Sequence, residues 1–296
     1  MRVFITGCNG QVGQSLQEQL SILENVTILA LDKEELDITN QNSVQAVVKE
    51  FKPTVIINAA AHTAVDKAED EVELSYSINS SGPKFLAQAA QSVGAAILHI
   101  STDYVYEGNK VGEYNEEDPT NPQSVYGASK LAGEVEVTQH CEKHIILRTA
   151  WVFGEHGNNF VKTMLRLGAI KDELSVVGDQ FGGPTYAGDI ASALIQLALK
   201  INQGEKMQFG VYHYSGLPHV SWYEFAEIIF DKAVELELLD KKPVVKSITT
   251  EQYPTPAKRP RNSRLSTKKI SEVYSLEASD WKVALQNLTA YYRTIK

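Results

Sequence analysis

Residues 1–13 are Met1-Arg2-Val3-Phe4-Ile5-Thr6-Gly7-Cys8-Asn9-Gly10-Gln11-Val12-Gly13, and this stretch indicates how the chain folds. Its apolar start predicts a buried strand, and a helical pattern over residues 15–23 follows the glycine turn. We expect Gly7 to supply the tight turn, Gly10 to let the backbone approach a pyrophosphate, and Gly13 to let the helix pack near the strand. A glycine turn between a strand and a helix predicts a dinucleotide site.

The rest of the first half alternates apolar runs with helical patterns. Strands are expected at residues 26–31, 54–61, 96–102 and 144–148, and helices at 43–51, 75–93 and after Ser124. Nearly continuous apolar strands are typical of a parallel sheet that is covered on both faces. The sequence therefore predicts an α/β fold with a Rossmann-type doubly wound parallel sheet, whose ligands bind beyond the carboxyl ends of the strands.

The pattern is less regular after residue 150, where a smaller lobe is expected. Its predicted elements are a helix at 160–167, a turn at 178–185, and further segments at 221–239, 244–248 and 280–294. A helix at 188–200 and a strand at 211–214 are expected to rejoin the sheet. The predicted division is a nucleotide-binding domain of residues 1–150 and about 184–215, and a discontinuous C-terminal α/β substrate lobe of about 151–183 and 216–296.

The pair Tyr126 and Lys130 is the strongest chemical signal, in the run Ser124-Val125-Tyr126-Gly127-Ala128-Ser129-Lys130. Residues four apart share a helix face, so we expect the Lys130 ammonium to lie near the Tyr126 phenol and to lower its pKa. Such a phenol can act as a general acid and base beside a nicotinamide. Thr102, at a strand end, is expected to hydrogen-bond a substrate oxygen and to complete a Thr/Tyr/Lys group.

The composition limits the classes of function. The 296 residues carry a formal net charge of -9 and are 43% hydrophobic, which fits a globular enzyme and argues against a nucleic-acid partner. The two cysteines, Cys8 and Cys141, predict neither a disulfide framework nor a zinc site, and the histidines are scattered, so we expect no metal. No apolar stretch approaches the length of about 18 residues that marks a membrane span. We expect a cytoplasmic protein without a membrane partner.

Together these segments resemble the extended short-chain dehydrogenase/reductases and, within them, the dTDP-4-dehydrorhamnose reductases. The resemblance covers nearly the whole chain. The stretches that discriminate this family from its relatives are Asn58-Ala59-Ala60-Ala61-His62-Thr63-Ala64-Val65-Asp66-Lys67-Ala68-Glu69, Asp179-Gln180-Phe181-Gly182-Gly183-Pro184-Thr185 and Arg259-Pro260-Arg261-Asn262-Ser263-Arg264-Leu265. The resemblance implies NAD(P)H-dependent reduction of the C4 ketone of dTDP-4-dehydro-L-rhamnose to dTDP-L-rhamnose, a precursor of surface polysaccharide.

The resemblance also implies roles for individual residues. Tyr126 would be the acid, and Lys130 its partner on the nicotinamide ribose. The other cofactor contacts would be Gly7, Gly10, Gln11, Val12 and Gly13 around the pyrophosphate, Asp37 and Ile38 at the adenosine end, and Ala61, His62 and Thr63 at the nicotinamide side. The substrate contacts would be Thr102, Asp103 and Trp151 at the sugar, and Arg259, Arg261 and Asn262, which suit a diphosphate.

Other interpretations stay open at this point. They are a reductase or epimerase of another nucleotide sugar, and a regulatory binding protein like the β subunit of methionine adenosyltransferase. Dehydratases of this fold carry Thr-Asp-Glu, whereas this chain has Thr102-Asp103-Tyr104, which disfavours dehydration. Asp32 suits an NADH ribose and Lys33 suits the 2′-phosphate of NADPH, so both cofactors are candidates. Ser15 stands where some relatives have a metal-bridging carboxylate, which argues against that dimer and leaves monomer and homodimer open.

Overall fold

The computed structural model of the protein describes residues 1–293. The strands are β1 (Arg2–Thr6), β2 (Thr27–Leu31), β3 (Val55–Asn58), β4 (Ala96–Thr102), β5 (His144–Thr149), β6 (Val152–Phe153), β7 (Glu173–Val177), β8 (Phe181–Gly182), β9 (Thr185–Tyr186), β10 (Gly210–His213), β11 (Val220–Ser221), β12 (Val244–Ile248) and β13 (Asn262–Ser263). The helices are α1 (Gln11–Ser21), α2 (Gln41–Phe51), α3 (Val65–Ala68), α4 (Val72–Tyr76), α5 (Gly82–Val93), α6 (Val125–His140), α7 (Phe160–Gly168), α8 (Ala187–Asn202), α9 (Trp222–Glu235), α10 (Lys268–Tyr274), α11 (Trp281–Ala284) and α12 (Leu288–Arg293).

A six-stranded parallel sheet organises the fold, with the strand order β10-β5-β4-β3-β1-β2. Strand β2 lies on one side of β1, and β3 and the later strands lie on its other side. The direction in which strands are added to the sheet therefore reverses between β1 and β3. Ligands of such sheets bind beyond the carboxyl ends of the strands at this reversal. The predicted Rossmann-type, doubly wound parallel sheet is confirmed.

Each face of the sheet is covered by helices. On one face, α1 and α8 pack against alternate strand residues such as Ile5, Ile57 and Leu98. On the other face, α2, α5 and α6 cover the intervening residues, among them Phe4 and Ile56. Burial on both faces explains why these strands read as continuous apolar runs rather than as alternating patterns.

A separate apolar cluster lies in the C-terminal part of the chain. It joins α7, α9, α11 and α12 around aromatic residues such as Phe225, Phe230 and Trp281. Ser221 begins α9 with a capping box, since its hydroxyl accepts from the N–H of Glu224 and the Glu224 carboxylate accepts from the N–H of Ser221. The short strands β7 and β12 pair in parallel beside this cluster.

Most predicted elements are confirmed, and the exceptions have identifiable causes. The strands expected at residues 26–31, 96–102, 144–148 and 211–214 each lie within one residue of their observed ends, and the segment expected at 244–248 forms β12. The strand expected at 54–61 ends at Asn58, and the helix expected at 75–93 begins at Val72 and contains a π-helical turn at Ser77–Ser81. Strand β7 and helix α10 were not predicted. The segment expected at 280–294 is broken into α11 and α12, and residue 294 lies outside the described residues.

The predicted division into two lobes stays a prediction, but one segment packs differently from it. Ile270, Tyr274 and Leu276 were assigned to the substrate lobe, yet they belong to the apolar cluster that covers the large sheet. The Tyr274 ring lies 5.2 Å from the ring of Tyr212 on β10. This segment therefore extends the core around the edge strand of the sheet.

Candidate active site

The glycine turn lies where β1 ends, at the reversal in strand order. Gly7 has a φ of 70°, and a Cβ there would come within 2.6 Å of the backbone nitrogen of Ala60. A Cβ at Gly13 would lie 2.7 Å from the Cα of Cys8, so only glycine lets the helix approach the turn this closely. Gly10 is less crowded, since its nearest neighbour would be the Gly7 oxygen at 3.3 Å. The steric roles of Gly7 and Gly13 are confirmed, whereas contact of Gly10 with a pyrophosphate stays a prediction.

The start of α1 has the features of an anion site. Gly10 is the N-cap residue, and within residues 1–293 no side chain caps this helix end. The first N–H groups and the helix dipole therefore favour a negatively charged group there. The Val12 side chain is buried in the core, so its backbone is the part that faces the turn. The Gln11 side chain accepts a hydrogen bond from Asn159 Nδ2 at 3.0 Å, which joins α1 to the N-cap of α7.

A carboxylate marks the end of β2. Asp32 accepts hydrogen bonds from the backbone N–H of Asn9 in the glycine turn at 2.9 Å and from that of Lys33 at 2.7 Å. The Lys33 side chain is exposed, and its ammonium lies 3.9 Å from Glu34. Asp37 is exposed and Ile38 is buried. Their contact with adenosine stays a prediction.

The loop after β3 carries the three residues expected at the nicotinamide side. Thr63 is exposed, and Ala61 and His62 are half-buried. The His62 ring lies between the Ser75 hydroxyl and the Glu71 carboxylate, each 3.0 Å from a ring nitrogen. The side chains before and within α4 therefore hold this ring.

Asn79 is a site-forming residue that the sequence analysis missed. Its side chain accepts from the N–H of His62 at 2.8 Å and donates to the carbonyl of His62 at 3.1 Å. It also donates to the Ser129 hydroxyl at 3.0 Å, and Ser129 donates to the carbonyl of Tyr126 at 2.9 Å. Asn79 thus joins the loop after β3 to α6. The sequence offered one sign of this role, a polar residue within a run of small residues. The π-helical turn is what directs the Asn79 side chain inward.

Helix α6, which carries Tyr126 and Lys130, lies against the end of β4, which carries Thr102, at the carboxyl end of the sheet. Thr102 ends β4, and Ser124 caps α6 by accepting from the N–H of Gly127 at 3.2 Å. A Cβ on Gly127 would collide with the carbonyl oxygen of Tyr104, so the first turn of α6 lies directly against the end of β4. The Tyr104 ring meets the Tyr126 ring edge to face at 5.4 Å.

The electrostatics of this group differ from the sequence-based prediction. The Lys130 ammonium donates to the carbonyl of Ile100 at 2.7 Å. Burial lowers the pKa of Lys130 to about 8, and the Glu134 carboxylate opposes this shift. Burial raises the pKa of Tyr126, a hydrogen bond with Thr102 opposes that shift, and the charge of Asp103 adds to it. The expected lowering of the Tyr126 pKa by Lys130 is therefore not found.

Asp103 lies behind Thr102 and is 4% exposed. It accepts hydrogen bonds from the hydroxyls of Thr102, at 3.1 Å, and of Ser263 on β13. Burial raises the pKa of Asp103 to about 6, and the bonds from Ser263 and Thr102 oppose the shift. Thr102 thus directs its hydrogen to a carboxylate, and its hydrogen bond with a substrate oxygen stays a prediction.

Trp151 stands beside this group in an unusual backbone conformation. Its φ is 50°, a left-handed value that few residues other than glycine adopt. Its ring stacks on Trp222 with centroids 3.5 Å apart, and a Cβ on Gly182 would lie 2.6 Å from it. Because packing from two elements holds the strained residue, Trp151 can form a rigid wall.

The three residues expected at a diphosphate have different surroundings. Arg259 donates to the Tyr104 hydroxyl at 3.0 Å and pairs with Asp66 at 2.5 Å. Arg261 is exposed and pairs with Glu251. Asn262 is 5% exposed. Its amide group donates to the carbonyls of residues 110 and 112, each at 2.7 Å, and its oxygen accepts from residue 264, so its hydrogen bonds serve the fold.

Comparison with known proteins shows the family of the chain. The family model described as RmlD substrate binding domain matches residues 1–294. A dTDP-4-dehydrorhamnose reductase of Aggregatibacter actinomycetemcomitans is 54% identical over 98% of this chain and 99% of its own length. The chain belongs to the dTDP-4-dehydrorhamnose reductase family. A family member from Escherichia coli (strain K12) is 40% identical, with 97% of each chain covered.

Solved structures of dTDP-4-dehydrorhamnose reductases have the same fold over their full length. The enzyme of Clostridium acetobutylicum aligns with a TM-score of 0.91 and 43% identity, covering 99% of this chain and 100% of its own. The enzyme of Bacillus anthracis, whose structure is a complex with NADP, aligns with a TM-score of 0.89 and 41% identity, covering 97% and 98%. The whole chain, and not only its nucleotide-binding part, therefore matches the reductase family.

Two further features concern metals and membranes. Among residues 1–293, no three His, Cys, Asp or Glu side chains lie together as a metal site. Ser15 is buried and donates to the carbonyl of Gln11 at 3.1 Å.

Among residues 1–293, no helix has the length and apolarity that crossing a membrane requires.

Proposed function

We propose that the protein catalyses the NAD(P)H-dependent reduction of the C4 ketone of dTDP-4-dehydro-L-rhamnose to dTDP-L-rhamnose. The observation that carries this proposal is 54% identity over 98% of the chain to a protein named dTDP-4-dehydrorhamnose reductase. The grouping of Thr102, Tyr126 and Lys130 beyond the sheet supports it, because this group suits proton transfer to a reduced carbonyl.

The residues around the glycine turn fit a dinucleotide. The uncapped start of α1 and the open surface at Gly10 suit a pyrophosphate, and the NADP complex of a relative 41% identical supports the same class of cofactor. We assign the pyrophosphate to Gly7 and residues 10–13, the adenosine end to Asp37 and Ile38, and the nicotinamide side to residues 61–63. When bound there, a reduced nicotinamide supplies a hydride.

The chain's own residues supply the proton and the orientation. Tyr126 donates its hydroxyl proton to the oxygen of the reduced ketone, and the Lys130 ammonium stabilises the negative charge left on the phenol oxygen. Trp151 forms one wall of the sugar site, and Arg259 and Arg261 attract the diphosphate. Tyr104 occupies the position of the carboxylate that dehydratases need, and its hydroxyl is engaged by Arg259, which supports reduction over dehydration.

The two cysteines bear on the cell compartment. Cys8 and Cys141 are both buried and free, which supports a reducing compartment, and we place the enzyme in the cytoplasm.

The test is the oxidation of reduced nicotinamide by the purified protein with enzymatically generated dTDP-4-dehydro-L-rhamnose. NADPH and NADH are assayed separately, and a UDP-linked 4-keto sugar serves as the control substrate. We expect rapid oxidation with the dTDP sugar only. Oxidation with the UDP sugar would indicate another nucleotide-sugar reductase, and isomerisation without net oxidation would indicate an epimerase. Nucleotide binding without turnover, together with capture of a methionine adenosyltransferase, would indicate a regulatory protein.

A further inference from the structure

The loop that joins β6 to α7, residues 154–159, connects two parts of the candidate site. It follows Trp151, which stands at the expected sugar site, by three residues, and Phe160 comes directly after it. The rings of Trp151 and Phe160 both contact Trp222, with centroids 3.5 and 4.6 Å away. Both ends of the β6–α7 loop are therefore attached to the same aromatic wall.

The β6–α7 loop also lies along one face of α1. Asn159 Nδ2 donates to Gln11 Oε1, in the first turn of that helix, at 3.0 Å. The His156 ring lies 3.0 Å from the Glu18 carboxylate, seven residues further along the same face. A Cβ on Gly157 would lie 3.2 Å from Gln11 Cγ, so the loop backbone packs directly on that side chain. The loop thus joins the aromatic wall to the helix whose start is assigned to the pyrophosphate.

Asn159 uses its whole side chain in this connection. Its amide group donates to Gln11 and, at 2.7 Å, to the carbonyl of Gly154. Its oxygen accepts from the N–H of Lys162 at 3.1 Å, which caps α7. An amide has two N–H hydrogens, and each has an acceptor here. Asn159 therefore closes the loop on itself and fastens it to α1.

We propose that Asn159 is a positioning residue that couples the cofactor site to the sugar site through the Gln11 side chain. The inference rests on the proposed reductase function, since it takes the pyrophosphate at the start of α1 and the sugar beside Trp151. It gives the Gln11 side chain a role besides any backbone contact with the pyrophosphate. It also gives a role to Asn159, to which the sequence analysis assigned none.

The coupling follows from how the two ligands are held. A dinucleotide bound at the start of α1 orders the turn that carries Gln11, and a sugar bound against Trp151 orders the wall at the ends of the β6–α7 loop. A ligand that orders one end of a shared segment reduces the cost of ordering for the ligand at the other end. Each ligand should therefore strengthen the binding of the other, and the hydrogen bond from Asn159 to Gln11 carries the effect.

The experiment measures the coupling between NADPH and dTDP-L-rhamnose, which are both reduced and so bind together without hydride transfer. Nicotinamide fluorescence gives the dissociation constant of NADPH with and without the sugar, and calorimetry gives that of the sugar with and without NADPH. We expect each ligand to tighten the binding of the other by about 5-fold or more, by the same factor in both directions.

Asn159→Ser breaks the connection while it keeps the helix cap. Serine is about as good an N-cap residue as asparagine, but it has no amide to donate to Gln11. The coupling factor should fall to about 1, whereas each ligand alone should bind with its wild-type affinity. A substitution that merely disturbed the fold would weaken the binding of each ligand alone as well.

Gln11→Met tests the same hydrogen bond from the other side. It removes the acceptor but keeps the backbone N–H groups at the start of α1. It should lower the coupling factor as far as Asn159→Ser does, and the double variant should lower it no further, because both substitutions remove one shared hydrogen bond.

The matched control is Asn40→Ser. Asn40 also caps a helix, α2, by accepting from the N–H of Ser43 at 3.1 Å. The same chemical change at this second helix cap should leave the coupling factor at its wild-type value.

A wild-type coupling factor in folded Asn159→Ser and Gln11→Met proteins would overturn the role of Asn159, and so would independent binding of the two ligands to the wild type. Either result leaves the reductase assignment intact if the wild-type protein oxidises NADPH with dTDP-4-dehydro-L-rhamnose. A wild-type protein that binds NADPH but neither binds dTDP-L-rhamnose nor reduces the ketone would instead overturn the proposed function, and the coupling role with it.

Discussion

Glu134 and Arg148 form a bidentate ion pair inside the protein. Arg148 Nε donates to one oxygen of Glu134 at 2.9 Å and Arg148 Nη2 to the other at 2.5 Å, and the two side chains are 4% and 5% exposed. Arg148 also donates to the Tyr106 hydroxyl at 2.6 Å. Since Glu134 lies on α6 and Arg148 on β5, the pair fixes the helix that carries Tyr126 and Lys130 on the sheet.

Loss of one partner of this pair should destabilise the protein strongly. Glu134→Leu leaves the Arg148 guanidinium buried without its anion, which typically costs about 3–5 kcal/mol in the free energy of unfolding. Arg148→Met added to Glu134→Leu should recover most of this loss, because no buried charge is left. Urea denaturation of the single and double variants measures the coupling. Glu173→Gln, at the exposed Lys246–Glu173 pair, is the control and should change little.

Stability should fall below pH 6.5 because of His213. Burial and the nearby Arg148 charge lower its pKa to about 3, from an ordinary histidine value of about 6.5. The unfolded chain then binds a proton between pH 6.5 and about 3 that the folded protein does not bind, so stability declines as the pH falls through this range. His213→Gln should flatten the dependence between pH 7.5 and 5.5 in urea denaturation, whereas His140→Gln, at a half-buried ring beside Glu136 on α6, should not. Equal slopes in wild type and His213→Gln would contradict this account.

Removal of the Tyr126 hydroxyl should separate chemistry from binding. Tyr126→Phe keeps the ring that Tyr104 packs against but removes the proton donor, so turnover should fall by about 10²- to 10⁴-fold. Nucleotide affinity, measured by nicotinamide fluorescence, should change little. Tyr253→Phe, at a side chain that is 60% exposed, is the matched control and should be as active as wild type. Full activity of Tyr126→Phe would remove Tyr126 from the mechanism.

Asp32 should influence the choice between the two cofactors. Its carboxylate binds the N–H of Asn9 in the glycine turn, at the strand end where dinucleotide folds hold the ribose. A carboxylate repels a 2′-phosphate, so Asp32→Asn should raise the ratio of kcat/KM for NADPH over NADH by about tenfold, which corresponds to about 1.4 kcal/mol. Steady-state kinetics with both nucleotides measures this ratio. Glu34→Gln, on the exposed neighbour, should leave it unchanged, and a constant ratio in Asp32→Asn would place the ribose elsewhere.

Elements whose residue types directly reflect burial or backbone conformation are predictable from the sequence. Strand β4 and the glycine turn were predicted with their observed bounds or geometry, because burial on two faces and a positive φ leave direct signs in the residue types. Helix α10 was missed because it is short and its apolar residues are few. The π-helical turn at Ser77–Ser81 was missed because the residues around it have an ordinary helical pattern.

The sequence by itself determined the parallel sheet, the glycine turn and the spacing of Tyr126 and Lys130, since each depends on neighbours within a few residues. Tertiary structure decided the environment of these groups. Asn79 reaches His62 and Ser129, and Ser263 reaches Asp103 across 160 residues, only after the strands and helices have packed. Hydrogen-bond direction, desolvation and the resulting pKa values depend on what surrounds each group in space, and residue order alone does not specify those surroundings.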